Sequence, residues 1–162
     1  MNAESIVLLT IDAYGGKISS KIRLNNIITL CGFDVDTNEV IQRLESYRLI
    51  NSYTSEDFID GVYRTSNIYR ITDNGKKYAS HRRNTALADT IHKVINDIGD
   101  ARFMEISVAA SLYRLLGDSA RSLDKDALSS LAKAKGMAVY KRDIDGGVSL
   151  LHRVLVGDEG EN

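Results

Sequence analysis

The sequence predicts a mainly α fold with a small β-ribbon (α+β): a three-helix N-terminal unit closed by the ribbon, then an α-helical C-terminal region. Three observations predict it. Apolar residues recur at helical spacing along most of the chain, and glycines punctuate those stretches. One run, Tyr63 to Ala79 (YRTSNIYRITDNGKKYA), alternates like a strand before it meets a helix cap.

The elements follow in order. Ser5 to Tyr14 places Ile6, Leu9 and Ala13 on one face with Val7, Leu8 and Ile11 beside them, a helix buried over most of its surface and stopped by Gly15-Gly16. Ser19 or Ser20 can cap a second helix, whose face is Leu24, Ile27, Ile28 and Cys31 and whose end is Gly32. Asp36 or Thr37 starts a third, with Val40, Ile41, Leu44 and Tyr47 inward and Asn38, Gln42, Arg43 and Ser46 outward. Leu49-Ile50 opens a strand, and the polar stretch Ser55 to Gly61 is expected to be the ribbon tip. On the return, Val62, Arg64 and Ser66 alternate with Tyr63, Thr65 and Asn67, and Ile68, Tyr69 and Ile71 complete the strand. Thr72 and Asp73 can then accept from the unpartnered N–H groups of a helical first turn.

The remainder reads as helix. Leu87, Ile91, Val94 and Ile98 form a stripe ended by Gly99 and suited to a two-fold seam. Phe103, Ile106, Ala110, Tyr113 and Leu116 repeat the pattern to Gly117, and Asp124 can cap a helix bearing Leu128 and Leu131 that closes at Gly136. Met137 to Val156 admits two readings. Ile144, Val148, Leu151 and Leu155 suit a helix capped by Asp143, although Gly146-Gly147 weakens it by roughly 1 kcal/mol per glycine. The alternative is a hairpin turning at Asp145-Gly146-Gly147; helix is the reading taken. The domain boundaries expected are 1–80, 81–156 for dimerisation or partner docking, and a disordered tail at 157–162.

Composition narrows the functions available. The 162 residues carry a net charge of −1, divided as +1 over residues 1–83 and −2 beyond. A non-specific binder that neutralises many phosphates is far more basic, so any DNA contact is local. A single cysteine leaves no internal disulfide framework and fits a reducing compartment. No charged-then-apolar leader opens the chain, and no apolar run nears the ~20 residues of a membrane span. A cytoplasmic protein with no membrane contact is the expectation.

Three helices followed by a ribbon, with Tyr69, Ile71, Thr72 and Gly75 matching the junction Y-x-L-T-x-x-G, resemble the winged helix-turn-helix superfamily of prokaryotic regulators over the first 80 residues. More narrowly, IVLLTIDAYGGKISSKIRLNNIITLCGF is similar to the YwgA-like winged-helix proteins of bacteria and archaea. The resemblance implies nucleic-acid binding, or a docking role like that of middle components and toxin-neutralising proteins in conflict systems.

In a helix-turn-helix the third helix enters the major groove. Thr37, Asn38, Gln42, Arg43 and Ser46 are therefore candidate DNA contacts: Asn38 and Gln42 can bridge adenine, and Arg43 can pair with guanine. Lys21 and Arg23 can hold phosphates, Arg64 can reach the backbone or minor groove, and Lys76 and Lys77, with His81, Arg82 and Arg83, add a basic cluster. Against these stand Asp34, Asp36, Glu39 and Glu45 around the third helix, and Glu56, Asp57 and Asp60 on the ribbon.

No catalytic or metal site is expected, and no cofactor. Asp34 to Asn38, with Glu45 at the twelfth place, imitates a calcium loop but has Glu39 where that loop needs glycine. His81, His92 and His152 lack zinc-site spacing, and no glycine-rich phosphate loop occurs. Cys31 lies on an apolar face, as a small core residue does. The tyrosines at 47, 53, 63, 69 and 78 read as cover for the core. Two functions remain: a regulator binding operator DNA as a homodimer, with reading helices about 34 Å apart, and a protein-interaction adaptor of a conflict or defence system, with Tyr113 or Leu116 as exposed anchors.

Overall fold

The computed structural model describes residues 2–59 and 61–157. It is mainly helical with one three-stranded antiparallel sheet. Helix α1 (Ala3–Ala13) leads through Gly15 and Gly16 into strand β1 (Lys17–Ser19) and helix α2 (Lys21–Leu30). Helix α3 (Thr37–Ser46), strands β2 (Ile50–Ile59) and β3 (Val62–Ile71) and helix α4 (Asp73–Ser80) follow. The sheet order is β1-β3-β2, with Ile18 opposite Tyr69 and Ile50 opposite Ile71.

Side chains close the helix starts where backbone donors have no partner. Ser20, rather than Ser19, caps α2 by accepting from the Arg23 N–H at 3.4 Å. Asp36 caps α3 from the Glu39 N–H at 3.2 Å, and Thr72 caps α4 from the Gly75 N–H at 3.0 Å. Gly75 fits there because a Cβ would stand 2.2 Å from the Leu49 carbonyl oxygen.

Two expectations in this part require correction, and one strand lies outside what the sequence reading expects. Strand β1 was unforeseen, since three residues with one apolar member, Ile18, carry no readable period. The ribbon tip does not begin at Ser55: β2 pairs residue for residue with β3 as far as Ile59 opposite Val62, through Phe58 opposite Tyr63, and of the expected tip Asp60 lies outside the described residues. Tyr47 is exposed rather than inward, because α3 ends at Ser46 and the helical stripe stops with it.

The second half comprises α5 (Ala86–Ile98), α6 (Phe103–Leu116), a 3-10 turn (Gly117–Ser122), α7 (Lys125–Ala134) and α8 (Lys141–Val156). Residues 141–156 form a helix, but Tyr140 stands at its N-cap and Asp143 is buried one turn inside. The glycine pair lies where α8 meets α6. A Cβ on Gly147 would come within 2.5 Å of Val108 Cβ and 2.9 Å of the Glu105 carbonyl oxygen. Arg102, just before α6, bridges Glu105 at 2.9 Å and Asp143 at 3.3 Å. Gly157 closes α8; the rest of the expected tail, 158–162, lies outside the described residues.

One hydrophobic core joins residues from both halves, with α1 against α5 and α2 against α5 and α6. The α5 stripe belongs to it: Ile91, Val94 and Ile98 are buried within the chain, which removes them as a two-fold seam. Tyr113 and Leu116 also pack partly against this core; the outward apolar residue of that turn is Leu115.

Two outcomes follow from the α6–α8 contact. Gly147→Ala should lower stability by about 1–3 kcal/mol in urea unfolding, because overpacking outweighs the helix propensity gained. Burial alone would raise the Glu105 carboxyl, but the Arg102 side-chain and backbone hydrogen bonds and the nearby guanidinium charges hold it below its ordinary value. A depressed folded value gives stability that is present above the unfolded carboxylate range, about pH 4.3, and lost as pH falls through the folded one. Glu105→Gln should therefore be less stable than wild type at neutral pH, with the gap closing in unfolding curves taken below about pH 4.

Candidate functional site

Helix α3 is held by one face only. Val40, Ile41 and Leu44 are buried against α1 and the base of the ribbon, leaving Asn38, Gln42, Glu45 and Ser46 in solvent. Between this face, the start of α2 and the ribbon runs a groove of about 350 Å3. Lys21, Asn38, Gln42 and Glu45 line it from the helices, and Ser52, Thr54, Asn67 and Tyr69 from the strands. A neighbouring hollow of about 500 Å3 continues past Lys21 and Asn67 to Ser20, Thr65 and Phe103.

The ribbon residues follow from register. Side chains alternate across a strand, so the pairs Ser52–Tyr69 and Thr54–Asn67 share the face of the buried pair Ile50–Ile71. The pair Asp57–Arg64 points to the opposite face. Parity counted from Ile50 and Ile71 would have identified Ser52, Thr54 and Asn67 from sequence, and this signal was missed. Ser52 Oγ donates to the Glu45 carboxylate, which ties α3 to the strand. Burial, and then the charge of Glu45, raises the Tyr69 hydroxyl above its ordinary value.

The expected cations are distributed otherwise than expected. Arg43 turns back toward α1: its Nε donates to Glu4 Oε1 at 2.6 Å and its Nη1 to Glu39 Oε1 at 2.7 Å. The Glu4 hydrogen bond, above all, raises the Arg43 guanidinium above its ordinary value. Arg23 reaches the Tyr14 hydroxyl at 3.4 Å and the Phe103 ring at 5.5 Å, and it lines the neighbouring hollow rather than the groove itself. Thr37 is buried, and Ser46 Oγ donates to the Arg43 carbonyl at 2.8 Å.

Arg64 stands on the far side of the ribbon from the groove. Lys76 and Lys77 are exposed on α4, which packs against α1 and β3, and neither lines the groove. Of their neighbours, Arg82 lies over the Tyr78 ring at 3.7 Å and Arg83 is paired with Asp12 at 3.2 Å. Only Lys21, Asn38 and Gln42 of the candidate contacts meet in the groove, where the formal charges are Lys21 and Glu45.

Among the described residues no group of three His, Cys, Asp or Glu is placed to hold a metal ion, and no helix is long and apolar enough to cross a membrane. No protein-family model matches the chain, and no curated protein or solved structure matches it either.

Cys31 is buried at the end of α2, and burial pushes its thiol up to about 12. The folded protein should therefore resist a thiol-alkylating reagent at mildly alkaline pH, with rapid labelling only after unfolding, as read by mass spectrometry.

Proposed function

We propose that this chain is a winged-helix protein that acts as a protein-interaction adaptor, with the α3–ribbon groove as its docking surface. The order helix, strand, helix, helix and two-stranded ribbon supports the winged-helix part of this reading. The resemblance to winged-helix proteins then points to a middle component or toxin-neutralising protein of a prokaryotic conflict system. Fold alone does not choose between docking and DNA binding, so the reading rests on the site.

The carrying observation is that α3 is open to solvent while its one cation, Arg43, is committed elsewhere. Arg43 is held by Glu4 and Glu39, leaving Lys21 opposite Glu45 in the groove. Duplex DNA presents one negative charge per ~1.7 Å and is held chiefly through phosphates. A near-neutral groove gains little from that field. The amides of Asn38 and Gln42 and the amide NH2 of Asn67 suit the neutral donors and acceptors of a polypeptide instead.

One observation favours the second reading, an operator-binding regulator. Asn38 and Gln42 lie one turn apart on the open side of α3, where bidentate contact with adenine is geometrically available, and Lys21 beside them can meet a phosphate.

Two measurements on the purified protein separate the readings. A protein partner captured from the native host and then reconstituted from purified components should bind wild type and lose affinity on the order of tenfold or more for Asn38→Lys/Gln42→Lys. Native genomic duplex fragments should show no retention at ~50 mM salt. Retention there that is lost in Lys21→Glu would replace the adaptor with the regulator.

A further inference from the structure

Two exposed apolar patches lie outside the groove, and their charges are opposite. The first is the end of the ribbon. Phe58 is 64% exposed, Tyr63 75% and Val62 56%, and the rings of Phe58 and Tyr63 meet across the strands at 4.9 Å. Residues 55–66 carry Glu56, Asp57 and Asp60 against Arg64 alone.

The second patch is the corner between α7 and α8. Val139 is 92% exposed and Tyr140 61%, with Arg142 over the Tyr140 ring at 5.4 Å. Residues 133–142 contain Lys133, Lys135, Lys141 and Arg142 and no acid. None of the four takes part in an ion pair among the described residues.

We propose that the acidic, apolar ribbon end of one copy docks on the basic, apolar α7–α8 corner of a second copy of this chain. Apolar burial supplies the attraction, which is non-directional, and charge complementarity selects the partner surface and the encounter geometry. One copy does not satisfy itself, since both patches remain exposed. The contact joins unlike surfaces, so a joined pair keeps one free corner on one copy and one free ribbon end on the other, and assembly grows or closes into a ring. Neither patch shares a residue with the α3 groove, so the contact stands or falls separately from what that groove holds.

Sedimentation velocity and light scattering on the full chain, from low to high micromolar concentration, test this. Wild type should associate, and the association constant should fall on the order of tenfold between ~50 and ~500 mM salt. Phe58→Ser/Tyr63→Ser and Lys141→Glu/Arg142→Glu should each be monomeric with unchanged thermal melts. Val62→Ser and Val139→Ser serve as milder second variants should either melt shift. Mixing the ribbon variant with the corner variant should restore association and stop it at a one-to-one pair, because only one intact ribbon end meets one intact corner. Wild type that stays monomeric throughout, association that survives either double substitution, or a mixture that fails to pair would overturn the proposal.

Discussion

The burial of α1 is the constraint on which the other elements depend. Ser5 to Ile11 are all buried, and α2, α3, α4, α5 and the sheet pack around this one helix. A helix enclosed this way is apolar nearly all round. Its polar members are satisfied internally: Thr10 Oγ1 donates to the Ile6 carbonyl at 2.7 Å, and the Ser5 and Tyr78 hydroxyls meet at 3.2 Å. Near the helix start, Glu4 takes Arg43 out of the face that α3 would offer to a ligand. The same helix that orders the core thereby sets the charge of the surface beyond it.

The second half is governed by close approach rather than by volume. Helix α8 lies against α6 at Gly146 and Gly147, where no Cβ intervenes. The Arg102 bridge to Glu105 and Asp143 meets the same junction from the side. Asp143 is almost wholly buried, and an unpaired carboxylate there would carry a large desolvation cost. Shape and charge therefore specify the same helix pair, which aligns α7 and the exposed corner that follows it.

Local signals proved the most legible. Caps at Asp36, Thr72 and Asp124, the glycines after α2, α5 and α6, and the stripes of α3 and α5 could all be read along the chain. What escaped was determined by partners distant in sequence. Arg43 and Glu4 are 39 positions apart, and no periodicity reports that one will claim the other. Arg23 is drawn toward Phe103, which belongs to the other half of the chain. Gly146 and Gly147 weigh against a helix locally, whereas their gain lies in the contact with α6. The ribbon reads as a strand pair, and the residues that face the groove follow from the parity of its buried ends, Ile50 and Ile71.

The ribbon is anchored unevenly. Strand β1 reaches only Ile68 to Arg70, so beyond that point β2 and β3 have no third strand beside them. An isolated pair of strands is marginally stable in water. Its outer half can fray without disturbing the helical core, at a free energy far below that of global unfolding. Whatever grips that end must first still it, so affinity there is discounted by conformational entropy, and stiffening the arm would strengthen capture without adding a single contact.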